Sequence, residues 1–335
     1  MKDFKDLVIL SDNGVSVEAY NKKIIPSDLL TTTEYRKYSI PSNKQAITQL
    51  IFLFICYLIL CYFYSNNYIF LSIITLIYTL HYTLNLAHEC WHNIFFKNFF
   101  WNNFFGIILS AIVGLPYRYA KKIHFNHHKY LNQSKDPGYV YTNANLSKKD
   151  IILSLLGILV LKNQVKNIIA VYELIKNKFF NKNKVFYKPK NNNNGLILKD
   201  IFYLFLIHII ILNFFILRSS IFPFIAYEYA VISLLPFVDA VRTLIDHKKN
   251  IGEDSTGYTR NFKISFLDKV ITKPYFDWHL LHHYFPQIPQ QNLPKLEKII
   301  ISKIDKTEYY NSNSGNSISA LFESLRNNDY KNKFI

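Results

Sequence analysis

The chain has 335 residues, is 50% hydrophobic and 17% aromatic, and carries a formal net charge of +16. Apolar residues come in blocks with lysines gathered between them, which speaks against a single soluble domain and for a membrane protein with basic loops on one face. A basic nucleic-acid binder would not need such apolar runs, and no nucleic-acid motif accompanies the charge, so nucleic acid is not an expected partner. A disulfide framework is equally excluded, because Cys56 and Cys61 lie inside an apolar run and Cys90 lies in a histidine motif.

In chain order, residues 1–45 are polar and mixed in charge, with no secretory signal, and are expected to form a cytosolic N-terminal segment. Four stretches approach the roughly 20 apolar residues that a bilayer crossing needs. They are Ala46–Tyr64, Tyr68–Ala87, Ile201–Leu217 and Ile221–Val238. Ser65-Asn66-Asn67 joins the first pair and Arg218-Ser219-Ser220 the second, so both short hairpins should open to the same side. The Lys- and Arg-bearing segments 1–45, 88–200 and 239–335 then share the cytosolic side. A fifth apolar stretch, Phe104–Leu115, is too short to span and reads as interfacial or re-entrant. Residues 147–180 read as a surface helix, Asn181–Gly195 as a loose low-complexity loop, and the chain after Thr307 as a polar tail. The expected fold class is an all-α integral membrane protein. It has four transmembrane helices in two hairpins, interfacial helices and a cytosolic histidine-rich cap; the membrane domain covers 46–300 and a polar tail 301–335.

The motif "HECWH" at 88–92 has the H-E-x-x-H form of zinc metalloproteases, with His88 and His92 on the metal and Glu89 as base. Eight of the 11 histidines, however, fall in three tight groups: this one, "HFNHH" with His124, His127 and His128, and "HLLHH" with His279, His282 and His283. On a helix, positions i, i+3 and i+4 share one face, so each group aims its imidazoles one way. Eight imidazoles are too many for one tetrahedral zinc and suit two ions of octahedral preference, for which iron is a good match. An intramembrane zinc protease would leave both H-x-x-H-H groups idle, and stays as the remote alternative.

The spacing of these groups resembles the three histidine boxes of the membrane fatty acid desaturase superfamily. "AHECWHNIFFKNFFWNNFFG" resembles the first box with its downstream amphipathic helix, and "PYRYAKKIHFNHHKYLNQSKDPGY" the second with its trailing Asp-Pro. "RTLIDH" at 242–247 resembles a motif after the last span, and "HLLHHYFPQIPQQNLPKL" the third box and its tail. The resemblance implies a histidine-held di-iron centre (Fe2+/Fe3+) that uses dioxygen and two external electrons to introduce a double bond into a lipid acyl chain. Hydroxylases and ketolases share the boxes and remain alternatives, and a binding or scaffold protein with a decayed site is a further one.

Implied iron ligands are His88, His92, His124, His127, His128, His279, His282 and His283, with no catalytic residue beyond the metal centre. Eight imidazoles leave two irons short of donors, and only His81, His208 and His247 remain to fill the gap. His81 lies about 10 Å deeper along its helix than His88, at 1.5 Å per residue. His208 is central in a span and reads as a hydrogen-bonded packing residue. His247 follows directly on a span, within the ligand-like motif, and is the expected ninth ligand. Glu89, Asp246 and Asp277 are candidates to orient ligands from outside the metal shell. Asp239 and Arg242 read as a structural pair, and Trp91 and Trp278 as interfacial anchors or walls of the site. No haem-attachment motif, fused cytochrome b5 signature or dinucleotide fingerprint is present, so the expected electron donor is a separate ferredoxin or cytochrome b5.

Overall fold

The computed structural model describes residues 30–131, 136, 193–217, 220–247 and 278–303. The expected surface helix at 147–180, most of the expected loop before Gly195, Asp277 and the tail after Thr307 lie outside these residues. Regular structure among the described residues is helical, without a strand.

Helix α1 (Thr32–Ser39) begins with a capping box: Glu34 N–H donates to Thr31 Oγ1 at 3.2 Å and Thr31 N–H donates back to Glu34 Oε2 at 2.8 Å. No element is expected here from the apolar pattern, since the segment is polar and mixed in charge. Helices α2 (Asn43–Ser65) and α3 (Ile69–Trp91) form the first hairpin, turned by Asn67 in the left-handed conformation at φ 59°. Helix α6 (Asn193–Leu217) leads into the second. It starts at Asn193, so the end of the stretch expected to be a loop, residues 193–195, is helical instead. The apolar periodicity that starts at Leu196 is extended backward by one turn.

The last span is not one regular helix. Helix α7 (Phe222–Tyr229) passes through a π-helical turn (Ala230–Leu234) into α8 (Leu235–His247). Pro236 has no N–H to offer the carbonyl of Ile232, and its ring would press on that carbonyl in a regular helix. The chain meets this with one wider turn just before the proline. One inserted residue turns the following helix by about 100°. Beyond that turn Arg242 reaches Asn85 on α3, and His247 meets His127 on α5.

Four helical segments are long and apolar enough to cross a membrane, and their outer faces are apolar as well: Phe54 is 62% exposed, Phe70 74% and Leu217 85%. Exposed aromatic and aliphatic side chains on this scale fit lipid, not water.

Helix α4 (Phe99–Ile112) is the short apolar stretch, and it packs along α3 and α6. It ends in a Schellman motif, with Leu115 N–H on Ser110 O at 2.8 Å and Gly114 N–H on Ala111 O at 2.9 Å. Gly114 takes φ +76°, and Pro116 then starts α5 (Tyr117–Tyr130), bent 93° from α4. Two carbonyls at the end of α4 find partners from other helices. His208 Nε2 lies 2.9 Å from Ala111 O, and Tyr227 donates its hydroxyl to Ile112 O at 2.5 Å. Glu228 within α7 lies 2.6 Å from His208 Nδ1, so these two polar side chains pair with each other inside the spans.

The main core gathers around α3, where Leu80, Leu86, Ala87 and Cys90 are fully buried with Leu109, Tyr117 and Val231 against them. A second core joins Leu30 and Tyr35 to α9 (His279–Tyr284) and α10 (Leu293–Lys303) through Leu280, Leu281, Ile288 and Leu296. Lys303 Nζ, 2.8 Å from Glu34 Oε2, and Asn292 Nδ2, which donates to Tyr38 O, tie α10 and the turn before it to α1. The histidine groups lie where these two cores meet.

Candidate metal centre

Helix α3 carries the first group past the end of the apolar run: the helix continues to Trp91 and every residue from Thr79 to His92 is buried. It stops in a second Schellman motif, with Asn93 at φ 58°, Asn93 N–H on Cys90 O and Ile94 N–H on Glu89 O, both at 3.1 Å. Lys121 Nζ fixes the Asn93 side chain at 2.9 Å, and burial pushes that ammonium down to about 8. Asn102 orders the chain that follows: it accepts from Phe95 and Phe96 N–H at 3.0 and 3.1 Å and donates to Phe96 O at 2.6 Å. The second group projects from one face of α5 and the third from α9.

All nine expected histidines converge. His88, His92, His124, His128 and His282 form one set, with their ligand atoms within 4.8 Å of one another. His127, His247 and His283 form a second, equally tight set. His279 joins it, with Nε2 2.9 Å from His247 Nε2 and 3.0 Å from His283 Nε2. The sets touch where the His128 and His283 rings lie 4.3 Å apart.

The donor set fits metal ions. His124 Nε2 lies 2.9 Å from His88 Nε2, 2.7 Å from His92 Nε2 and 2.8 Å from His128 Nε2. An imidazole nitrogen carries one proton or one lone pair, so hydrogen bonding satisfies at most one of these three contacts. The rest would set lone pair against lone pair or N–H against N–H, whereas a cation at their focus satisfies all of them. Burial, with neighbouring histidines second, holds His92, His124, His128 and His283 well below the usual imidazole range; burial, with the Arg242 charge second, holds His282 at about 3. The rings are therefore neutral, which is the state that binds metal.

Several other groups surround the sets. Asp136, buried, accepts at Oδ1 from His127 Nδ1 at 2.8 Å, the carboxylate–histidine pairing that fixes a ligand's tautomer. It is the Asp of the Asp-Pro dipeptide that trails the second box, a residue with no expected role from sequence. Glu89 accepts from the backbone N–H of Gln290 at 3.2 Å. Asp246 is buried and pairs with Arg242 Nε at 3.1 Å. On α8 the i+4 carboxylate thus reaches the guanidinium, which also lies 3.3 Å from Asn85 Oδ1 on α3. Trp91 walls the site, its ring 5.6 Å from His124 and its Nε1 donating to Ser110 Oγ, while Trp278 donates to Glu297 on α10. His81 is buried apart from both sets, and no hydrogen-bond partner of its Nε2 is found among the described residues.

Membrane-length helices and nine converging imidazoles, all buried except half-buried His124 and His127, define a helical membrane protein with a histidine-rich site able to hold metal. A family model, fatty acid desaturase, matches residues 65–312, well over half of the chain. The chain belongs to the fatty acid desaturase family, a superfamily of membrane oxidoreductases that includes desaturases and hydroxylases. No curated protein matches it.

Proposed function

We propose that the protein is a membrane fatty acid desaturase that introduces a double bond into a lipid acyl chain. It would use dioxygen, two external electrons and two protons, and release two waters. One observation carries the proposal: nine converging imidazoles form two adjoining sets of five and four. A tetrahedral zinc site takes three or four protein ligands, so this arrangement supports two ions of octahedral preference and speaks against the zinc protease reading.

His88, His92, His124, His128 and His282 would hold one iron, and His127, His247, His279 and His283 the other. When bound, the iron pair supplies dioxygen activation strong enough to break an unactivated C–H bond. The chain's own contribution is position. Asp136 holds the His127 tautomer, Arg242–Asp246 sets the end of α8 that presents His247, and Trp91 covers the first set on one side.

The donor of electrons would be a separate ferredoxin or cytochrome b5, steered by the +16 charge if it is acidic. Both termini and the three boxes would face the cytosol, with residues 65–67 and 218–220 on the far side. The deciding experiment expresses the chain with an electron donor and profiles the host lipids by mass spectrometry. New acyl species lighter by two hydrogens are expected; species heavier by one oxygen would replace the reading with a hydroxylase.

A further inference from the structure

Beside the two metal-facing sets stands a residue whose position in the tail of the third box carries no obvious chemistry. Gln290 opens the 3-10 turn Gln290–Asn292, between Pro289 and α10, and is 2% exposed. It touches the first box twice. Its backbone N–H donates to Glu89 Oε1, and its side-chain amide lies 3.2 Å from His88 Nδ1. Residues about 200 positions apart thus meet at one hydrogen-bonded corner.

The chemistry of His88 fixes what that amide must do. His88 Nε2 points into the five-histidine set. A metal there takes the Nε2 lone pair, which leaves the ring proton on Nδ1 in need of an acceptor. The amide nitrogen faces Nδ1 and is itself a donor, while Gln290 Oε1 is buried with no partner among the described residues. Oxygen and nitrogen of an amide have nearly the same shape, and their assignment follows the hydrogen-bond network. Turned over, Gln290 places Oε1 on the Nδ1–H.

We propose that Gln290 is a positioning residue for the metal centre: its side-chain carbonyl accepts the Nδ1–H of His88 and holds that imidazole with Nε2 toward the metal. This rests on the metal-centre reading. The backbone hydrogen bond to Glu89 locks the same corner, so the third-box tail sets the orientation of the first box as well as delivering its own histidines.

Cobalt titration of chelator-stripped wild type, Gln290→Met and Gln290→Glu tests the assignment. Met keeps the length of the side chain but removes the strong acceptor; Glu retains an acceptor. Gln290→Met is expected to bind cobalt about 10–100-fold more weakly, the usual cost of losing such an outer partner. Gln290→Glu should stay within a few-fold of wild type. Unchanged affinity in Gln290→Met, or equal loss in both variants, overturns the assignment. Should Gln290→Met not melt like wild type in its stripped form, proton NMR of cobalt-loaded wild type and Gln290→Glu decides. One hyperfine-shifted exchangeable imidazole N–H should move in the Glu variant, because its acceptor becomes a carboxylate; superimposable signals overturn the proposal. Wild type that takes up no cobalt overturns the metal-centre reading itself, and this role with it.

Discussion

His127 and His247 stand 120 positions apart in the chain, yet their Nε2 atoms lie 3.1 Å from one another. The contact brings α5 against the end of the last span, and it makes a comparison with His81 informative. His247→Ala is expected to lower metal content toward one ion per chain and to abolish turnover. His81→Ala, buried outside both sets, should keep wild-type metal content. Metal analysis of both purified variants checks this, and the reverse pattern would assign the ninth ligand wrongly.

Removing metal should destabilise the protein. A ligand that binds only the folded state adds about 4 kcal/mol at a thousandfold excess over its Kd. The stripped protein also leaves the Nε2 atoms of His124, His88, His92 and His128 facing one another with too few protons to share. A fall in melting temperature on the order of 10 °C is expected after chelation. It should be restored by ferrous ion and read by thermal scanning in detergent.

Gly106 lets α4 approach both α3 and the start of α5. A Cβ there would stand 2.9 Å from Tyr117 Cδ2 and 3.0 Å from Cys90 Cβ. Tyr117 cannot easily give way, because it is buried and donates its hydroxyl to Cys90 O at 3.1 Å. Gly106→Ala should cost about 1–3 kcal/mol, the usual range for overpacking. Comparing its melting temperature with that of an alanine at exposed Lys97 measures this.

His208, half-buried in its span, should behave unlike the histidines of the two sets. It joins the end of α4 to the second hairpin through Ala111 O and Glu228. His208→Leu should cost about 1 kcal/mol, as hydrogen bonds within membranes do on average. Metal content should stay that of wild type. A variant that loses metal would show that the anchoring of α4 controls the site.

Labelling tests the sidedness of the boxes. Lys97 before α4 and Lys122 on α5 are both exposed. The 93° bend between α4 and α5 returns the chain to the level of His92, which meets His124 at 2.7 Å. Single cysteines at Lys97 and Lys122 are expected to react with an impermeant reagent from the same side of a sealed vesicle; reaction from opposite sides would make α4 a fifth span.

The sequence by itself determined the membrane-length apolar runs and the three histidine groups. A bilayer sets a length that can be counted in residues, and i, i+3, i+4 spacing fixes a shared face without knowledge of any neighbour. It also singled out His247, by its place just beyond a span. Only the tertiary structure decided which imidazoles share a set: His282 sits with the first box and His283 with His127 and His247, although the two are adjacent in sequence. It also decided that Arg242 meets Asp246, that Asp136 holds His127, and that Gln290 reaches His88. The spacing rules act within one helix. These pairings arise between helices, from the bend at Gly114, the π turn before Pro236 and the packing of α9 and α10 on α1, and no local pattern in the chain encodes them.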